Sequence, residues 1–324
     1  MKVSAVVVTF NRKELLIECL EALRRQTRPL DALYIIDNAS TDGTEELLGK
    51  EGYLNGSMEN LHDGGVIKVN YIRLPKNTGG AGGFHEGVRR AYSDGYDWIW
   101  LMDDDAEPLP ESLERLLDYE SDGVAALANL KVGIDGMPQV IHRGFFDFNS
   151  FRWVVRPINP EMADECIKID HASFVGILIN SESIGKVGFP REDFFLHYDD
   201  VEYCLRLRGT GDIILVTGSR ILHKDAAWDN LEKKRFLWKE VSMVPYEKLW
   251  LRYYGLRNHT WLRKRNMNPL LFYIFLLRAI PLSLLGQIIS MDNVIKRCRF
   301  ILSAYYDGIR GNFNNEKPKK LLYE

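Results

Sequence analysis

The chain has 324 residues, of which 46% are hydrophobic and 27% charged, with a formal net charge of -3. This describes an ordinary folded protein with one large core or two smaller ones. The slight acidity argues against a nucleic-acid partner, which calls for a strong positive excess.

The opening stretch VSAVVVTF is β-branched and apolar, and reads as a buried strand rather than a signal peptide. RKELLIECLEALRRQ carries Leu15, Leu16, Cys19, Leu20 and Leu23 at helical spacing. ALYIIDNAS is a second strand. STDGTEELLGK starts a second helix, with Ser40 or Thr41 available as its cap. VIKVNYIRLP is a third strand, GGFHEGVRRAYSDG a third helix stopped near Gly95, and YDWIWLMDD a fourth strand. Strands alternating with crossover helices predict an α/β fold with a mostly parallel central sheet. FRWVVRPI, IKIDHASFVGILI and DIILVTGSRILH read as further strands, some of them antiparallel. From about Asp229 the texture becomes basic, aromatic and helical, so the expected domains are 1–228 and a helical region 229–324.

Cys19, Cys166, Cys204 and Cys298 are scattered without a CxxC pair. A reducing, cytoplasmic setting is therefore expected. The apolar run NPLLFYIFLLRAIPLSLLGQII is interrupted by Arg278 and Pro281. It reads as an interfacial or packed helix more readily than a membrane span.

In a parallel α/β sheet, ligands bind beyond the carboxyl ends of the strands. Four polar or glycine-rich clusters fall there: TFNR, DNAS, KNTGGAGGF and DDD. Asp103 and Asp105 form a D-x-D, whose alternate carboxylates can reach one hard cation; the plain alternative is an acidic turn. His223, at the end of another strand, offers a nitrogen ligand that Mn2+ tolerates better than Mg2+, or is simply a solvated strand end. Asp199, Asp200 and Glu202 sit where a helix begins. They suit that helix N-terminus, or one of them serves as general base. Arg206, one turn on, is placed to pair with Glu202.

The stretch NTGGAGGF, with Asn77, Gly79 and Gly80, lets backbone approach phosphate before a helix, or is a flexible loop. It matches neither the P-loop nor the full dinucleotide fingerprint. Thr9, Asn11, Arg12, Asp37 and Asn38 supply donors and acceptors beside the first two strands; Asp37 suits a ribose hydroxyl or base N–H, and Asn11 and Asn38 could equally cap. Together these residues, with Asp104 among the three acids, call for a nucleotide diphosphate and a cation.

The ordered set VVVTFNR, IIDNASTDGT, NTGGAGGF, LMDDDAEP and HYDDVEYCLRLRGTG followed by ILH resembles glycosyltransferase family 2, with its GT-A fold, over residues 1–228. The glycine-rich stretch, DDD and YDDVEY together resemble the branch holding bacterial galactofuranosyltransferases and rhamnosyltransferases. The resemblance implies metal binding by Asp103 and Asp105 with His223 completing the site, Asp200 as catalytic base, and Thr9, Arg12 and Asp37 around the nucleotide. It further implies a divalent metal (Mn2+ or Mg2+), a UDP-sugar or dTDP-sugar donor, and an inverting displacement onto a glycan or polyprenyl-linked acceptor in cell-surface polysaccharide synthesis. The Q-x-x-R-W signature of processive members is missing. The alternatives are a sugar-1-phosphate nucleotidyltransferase or a non-catalytic nucleotide- or glycan-binding module. The basic-aromatic C-terminal region suits the inner face of the membrane, or a flap packed on the catalytic domain or on a second subunit.

Overall fold

The structure is a computed structural model. It describes residues 1–159, 165–224, 233–236, 239–242, 244–289 and 292–324. The chain groups into two units: one of residues 1–146, 155–192 and 199–225, the other of 147–154, 193–198 and 226–324. The expected boundary at Asp229 lies outside the described residues. A single cut there does not anticipate the two short segments that group with the C-terminal unit.

The first unit is built on β1 (Val3–Thr9), β2 (Ala32–Asp37), β3 (Ser57–Glu59), β4 (Val66–Arg73), β5 (Trp98–Asp103), β6 (Ala106–Pro108), β7 (Val124–Val132), β10 (Cys166–Ile169), β12 (Ile177–Asn180) and β13 (Asp212–His223). They form one sheet in the order β10-β13-β7-β12-β5-β1-β2-β4-β3, with β6 beside β13. The run β5-β1-β2-β4 is parallel, as the alternation of strands and helices predicts. Beyond it the sheet is mixed, because β12 runs antiparallel to both β5 and β7. "Mostly parallel" is thus correct for the first four predicted strands and not for the whole sheet. The short hairpin strand β3, antiparallel to β4, has no apolar alternation to announce it.

Both faces of the sheet are covered, so its central strands are apolar over most of their length. Val6, Val8, Tyr34, Ile36, Ile99 and Leu101 enter one core cluster. Their neighbours Val7, Leu33, Ile35, Trp98, Trp100 and Met102 enter the other. This is the period-2 signature of a strand buried on both sides. Helix α1 (Lys13–Arg24) buries Leu16, Cys19, Leu20 and Leu23 in the second cluster. The next helix, α2 (Thr44–Lys50), has Gly43 as N-cap, so neither Ser40 nor Thr41 caps it.

Helix α3 (Gly79–Ser93) begins inside the glycine-rich stretch, so NTGGAGGF is mostly helix rather than loop. Its later glycines serve packing. A Cβ on Gly83 would lie 2.4 Å from Val8 Cγ1, and one on Gly87 2.3 Å from Val6 Cγ1. Glycine here lets the helix lie directly on β1. Gly83→Ala is expected to cost about 1–3 kcal/mol by overpacking, read as a lowered denaturation midpoint. Val8→Ala in the same chain should recover part of it; no recovery would place the strain elsewhere.

A second, three-stranded sheet joins β8 (Arg143–Phe146), β9 (Val155–Pro157) and β11 (His171–Ala172). Arg143 is fully buried beside it and donates to Asn129 O, His142 O, Ser173 Oγ and Val175 O. That satisfied guanidinium ties β7 to the segment carrying His171. Short helices α4 (Ser112–Leu117) and α5 (Ser181–Val187) and helix α6 (Asp199–Leu207) complete the unit.

In the second unit, α7 (Leu249–Asn266), α8 (Pro269–Ile289), α9 (Val294–Arg310) and α10 (Lys317–Tyr323) follow a hairpin of β14 (Lys233–Phe236) and β15 (Lys239–Ser242). Leu249, Tyr253, Phe300, Ile301, Ala304 and Leu322 form its core. Helix α8 continues through Pro281. On α7, Arg257 donates to Asp193 O and Phe194 O, and Asn258 to Phe194 O, Leu196 O and His197 O. These bonds hold a segment in which Phe195, His197 and Tyr198 all have left-handed φ, between 64° and 67°. Non-glycine residues keep such a backbone only where their surroundings over-determine it. The next residue in the chain starts α6.

Candidate active site

The strand registers line up polar residues at one edge. Thr9 stands opposite Asp37, Val8 opposite Asp103, and Asp37 opposite Arg73. After Asp103 the chain turns through Asp104 and Asp105 into β6, which pairs with the end of β13 and sets Ala106 opposite His223. His223 Nε2 therefore comes to 3.3 Å from Asp105 Oδ1.

Three adjacent carboxylates receive one cation from the first strand's end. Arg12 Nη1 lies 2.9 Å from Asp105 Oδ2 and 3.3 Å from Asp104 Oδ1. Thr9 Oγ1 donates to Asp104 Oδ2 at 2.7 Å. The charges remain unbalanced. Burial and the neighbouring Asp105 and Asp104 push the Asp103 carboxyl well above its ordinary range. Burial also raises Asp104, to about 6, against the pull of Arg12 and Thr9. At Asp105 burial is outweighed by His223 and Arg12, and its carboxyl sits below the usual range. Among the described residues His223 Nδ1 is buried without a hydrogen-bond partner, and Asp105 Oδ1 faces the His223 imidazole.

The Asp105 carboxylate and the His223 imidazole facing it are donor types that a divalent cation accepts. Asp103 does not join them: among the described residues no three His, Cys, Asp or Glu side chains converge as a ligand cluster. Asp105 and His223 are brought together.

The residues expected around a nucleotide are largely engaged with one another. Asp37 is fully buried; it accepts from Ser40 N at 2.7 Å and Tyr71 Oη at 2.8 Å. Asn38 accepts from Thr78 N and donates to Gly79 O, tying the end of β2 to the start of α3. Asn11 accepts from Thr41 N, and Asn77 from Gly79 N. Gly79 has φ +76°, a conformation that suits glycine; Gly80 is half-buried. Thr9 is buried under Asp104. These residues shape the rim of the edge, while Arg12 and Arg73 are its partly exposed cations.

At the head of α6 the two acids diverge. Burial and the charge of Asp200 raise Asp199 to about 8. At Asp200 burial is overcome by His171, whose Nε2 lies 3.3 Å from Oδ2, with help from His142, so its carboxyl falls below the ordinary range. Asp200 is the ionised member near neutral pH. Glu202 is bound by Arg206 through Nε and Nη2, as its spacing predicts.

His171 was not singled out in the sequence. It is 1% exposed, with Nε2 facing Asp200 and Nδ1 without a hydrogen-bond partner among the described residues. Within IKIDHASF it looks like one polar residue in a strand. Only the pairing of β11 with β8 brings it under α6.

The raised Asp199 gives a stability prediction. Between pH 4 and about 8 the folded chain keeps a proton that the unfolded chain releases, so this group's contribution falls as pH rises through that window. Asp199→Asn should flatten the alkaline decline of the melting temperature. An unchanged pH profile would mean that Asp199 is not held protonated.

The fold is shared with solved glycosyltransferases. S. aureus TarS 1-349 aligns with a TM-score of 0.54 at 15% identity, covering 99% of this chain and 83% of that one. Mannosyltransferase PcManGT from Pyrobaculum calidifontis, solved with GDP-Man and Mn2+, aligns with a TM-score of 0.54 at 16% identity, covering 94% and 75%. The architecture is GT-A: a mixed sheet flanked by helices, followed here by C-terminal helices. The sequence profile of glycosyl transferase family 2 matches residues 4–175, just over half of the chain, and the chain belongs to that family.

Among named relatives, galactofuranosyltransferase GlfT1 of Mycolicibacterium smegmatis is 29% identical over 214 residues, 64% of this chain and 66% of its own length. The match thus spans just under two thirds of that relative. The dTDP-rhamnosyl transferase RfbF of Shigella flexneri is 24% identical, with 95% of each chain covered.

Proposed function

We propose that the chain moves one sugar, galactofuranose or rhamnose, from a UDP or dTDP donor to a hydroxyl of a glycan or polyprenyl-linked acceptor. The reaction inverts the anomeric centre and serves bacterial surface polysaccharide synthesis at the cytoplasmic face of the membrane. The observation that carries this reading is the excess of carboxylate at Asp103–Asp105 over what Arg12 and His223 supply. The activities for which two relatives are named, galactofuranosyl and dTDP-rhamnosyl transfer, support the donor choice.

Asp105 and His223 would hold Mn2+ or Mg2+, which supplies positive charge against a diphosphate leaving group. Arg12 and Arg73 add fixed cations at the same edge. Asp200, ionised and beside His171, takes the proton of the acceptor hydroxyl. The hydroxyl oxygen bonds to the anomeric carbon as the bond from that carbon to the diphosphate oxygen breaks. The nucleoside diphosphate leaves with the electron pair, and no covalent enzyme intermediate forms.

Calorimetric titration with UDP and dTDP, each with and without Mn2+, tests the donor half. Metal-enhanced binding of one nucleotide is expected and selects the donor class. Binding of neither by folded protein would remove the nucleotide-diphosphate reading.

A further inference from the structure

Helix α8 presents an apolar face that the second unit leaves uncovered. It is 21 residues long, with a mean hydropathy of 1.8 over its most apolar window, and only 17% of that window is buried. Leu270, Tyr273, Ile274, Leu277, Leu285 and Ile288 are exposed, Leu277 by 76%. Their spacing of three and four residues puts them on one side of a helix. The opposite side is engaged. Phe272, Phe275 and Gln287 are buried, and Ser283 Oγ shares a hydrogen bond with Tyr305 Oη of α9 at 2.9 Å.

The charge around this face has one sign. No Asp or Glu occurs from Lys248 to Met291. Exposed Lys264 and Arg265 end α7 just before α8, and exposed Lys296 and Arg299 open α9 just after it. From Val244 to Glu324 fourteen Lys and Arg stand against five Asp and Glu, an excess of nine, in a chain whose net charge is -3. On α9, Ile295, Leu302 and Tyr306 are exposed at helical spacing around Arg299.

We propose that α8 docks in the plane of an anionic lipid bilayer, apolar face inward, with the flanking cations on the headgroups. This deepens the membrane side of the proposed function and does not depend on its chemistry. A lipid surface is favoured over a second copy by charge. An isologous contact through this face would set the same cations against one another. Lying in the interface is favoured over spanning by the engaged side. A span would break the Ser283–Tyr305 bond, expose the amide of Gln287 to lipid and carry Arg278 to the bilayer centre. An amphipathic helix with flanking cations and interfacial Tyr is the arrangement that binds at the headgroup boundary.

The test is flotation of the full chain with vesicles of phosphatidylcholine alone, and of the same lipid with a quarter phosphatidylglycerol. Binding to the anionic vesicles only is expected, weakened by salt. Leu277→Glu should abolish it without lowering the melting temperature, because the side chain faces solvent. Arg265→Gln and Arg299→Gln should each weaken it about five-fold.

The proposal is overturned if the parent floats with neither vesicle or if Leu277→Glu floats unchanged. Retention after alkaline carbonate extraction would establish a span instead. A solution dimer dissolved by Leu277→Glu, with no lipid binding, would assign the face to a second copy. Nucleotide binding by the same preparation reports separately on the transferase reading.

Discussion

Asp200→Asn is expected to slow sugar transfer by about 100- to 10,000-fold, the span that a positioned general base contributes, while leaving nucleotide binding nearly intact. The substitution keeps the shape of the side chain and removes only its charge. Asp200 lies at the head of α6, outside the Arg12, Asp104 and Asp105 cluster, so donor affinity has no reason to fall. The pH profile sharpens the expectation. Burial alone would raise the Asp200 carboxyl; His171 and His142 hold it below the ordinary range instead. Transfer should therefore persist on the acid side until Asp200 takes up a proton. His171→Ala removes the first opposing charge, so burial then prevails and the acid limb should move to higher pH. A His171 that merely fills space would lower the melting temperature without moving that limb. Full activity in Asp200→Asn would pass the base role to Asp199 and remove the assignment.

What the sequence disclosed depends on the range of the interaction. Strands β1, β2 and β5 are legible because burial on both faces writes an apolar run directly into the residues. The convergence of Thr9, Asp37 and Asp103 at one edge follows from the parallel order of those strands, which the intervening helices announce. Contacts between distant segments leave no such trace. Nothing in TFNR says that Arg12 sits on the acids more than ninety residues away. Gly83 looks like part of a phosphate-binding loop, because the sequence does not show that Val8 leaves no room for a Cβ. His171 becomes visible only when β11 pairs with β8. The left-handed segment before α6 depends on Arg257 and Asn258, some sixty residues downstream. The resemblance implied Asp200 as the base; packing gives it and Asp199 opposite carboxyl shifts, which the sequence does not show.

Asp105→Asn is expected to remove the Mn2+-dependent part of nucleotide binding, and its effect on the metal-free part should have the opposite sign. Asp105 is the one acid of the three held below the ordinary carboxyl range, with Oδ1 facing the His223 imidazole, so it is the anchor a cation would lose. It also holds Arg12 at 2.9 Å. Its neutralisation leaves that guanidinium on Asp104 alone, at 3.3 Å, and more available to a diphosphate. Metal-free affinity should hold or rise while the gain on adding Mn2+ disappears. His223→Ala separates the two effects, since His223 touches Asp105 and not Arg12. It should weaken Mn2+ binding by about 10- to 100-fold or more, the usual cost of disturbing a metal's ligand environment, with metal-free affinity unchanged. Arg12→Ala should do the reverse, lowering metal-free affinity and leaving the response to Mn2+. Chelation of the parent protein ought to reproduce His223→Ala. If instead all three variants lose metal-free and metal-dependent binding in parallel, the acids are a structural cluster whose disruption unfolds the edge, and the cation site is not there.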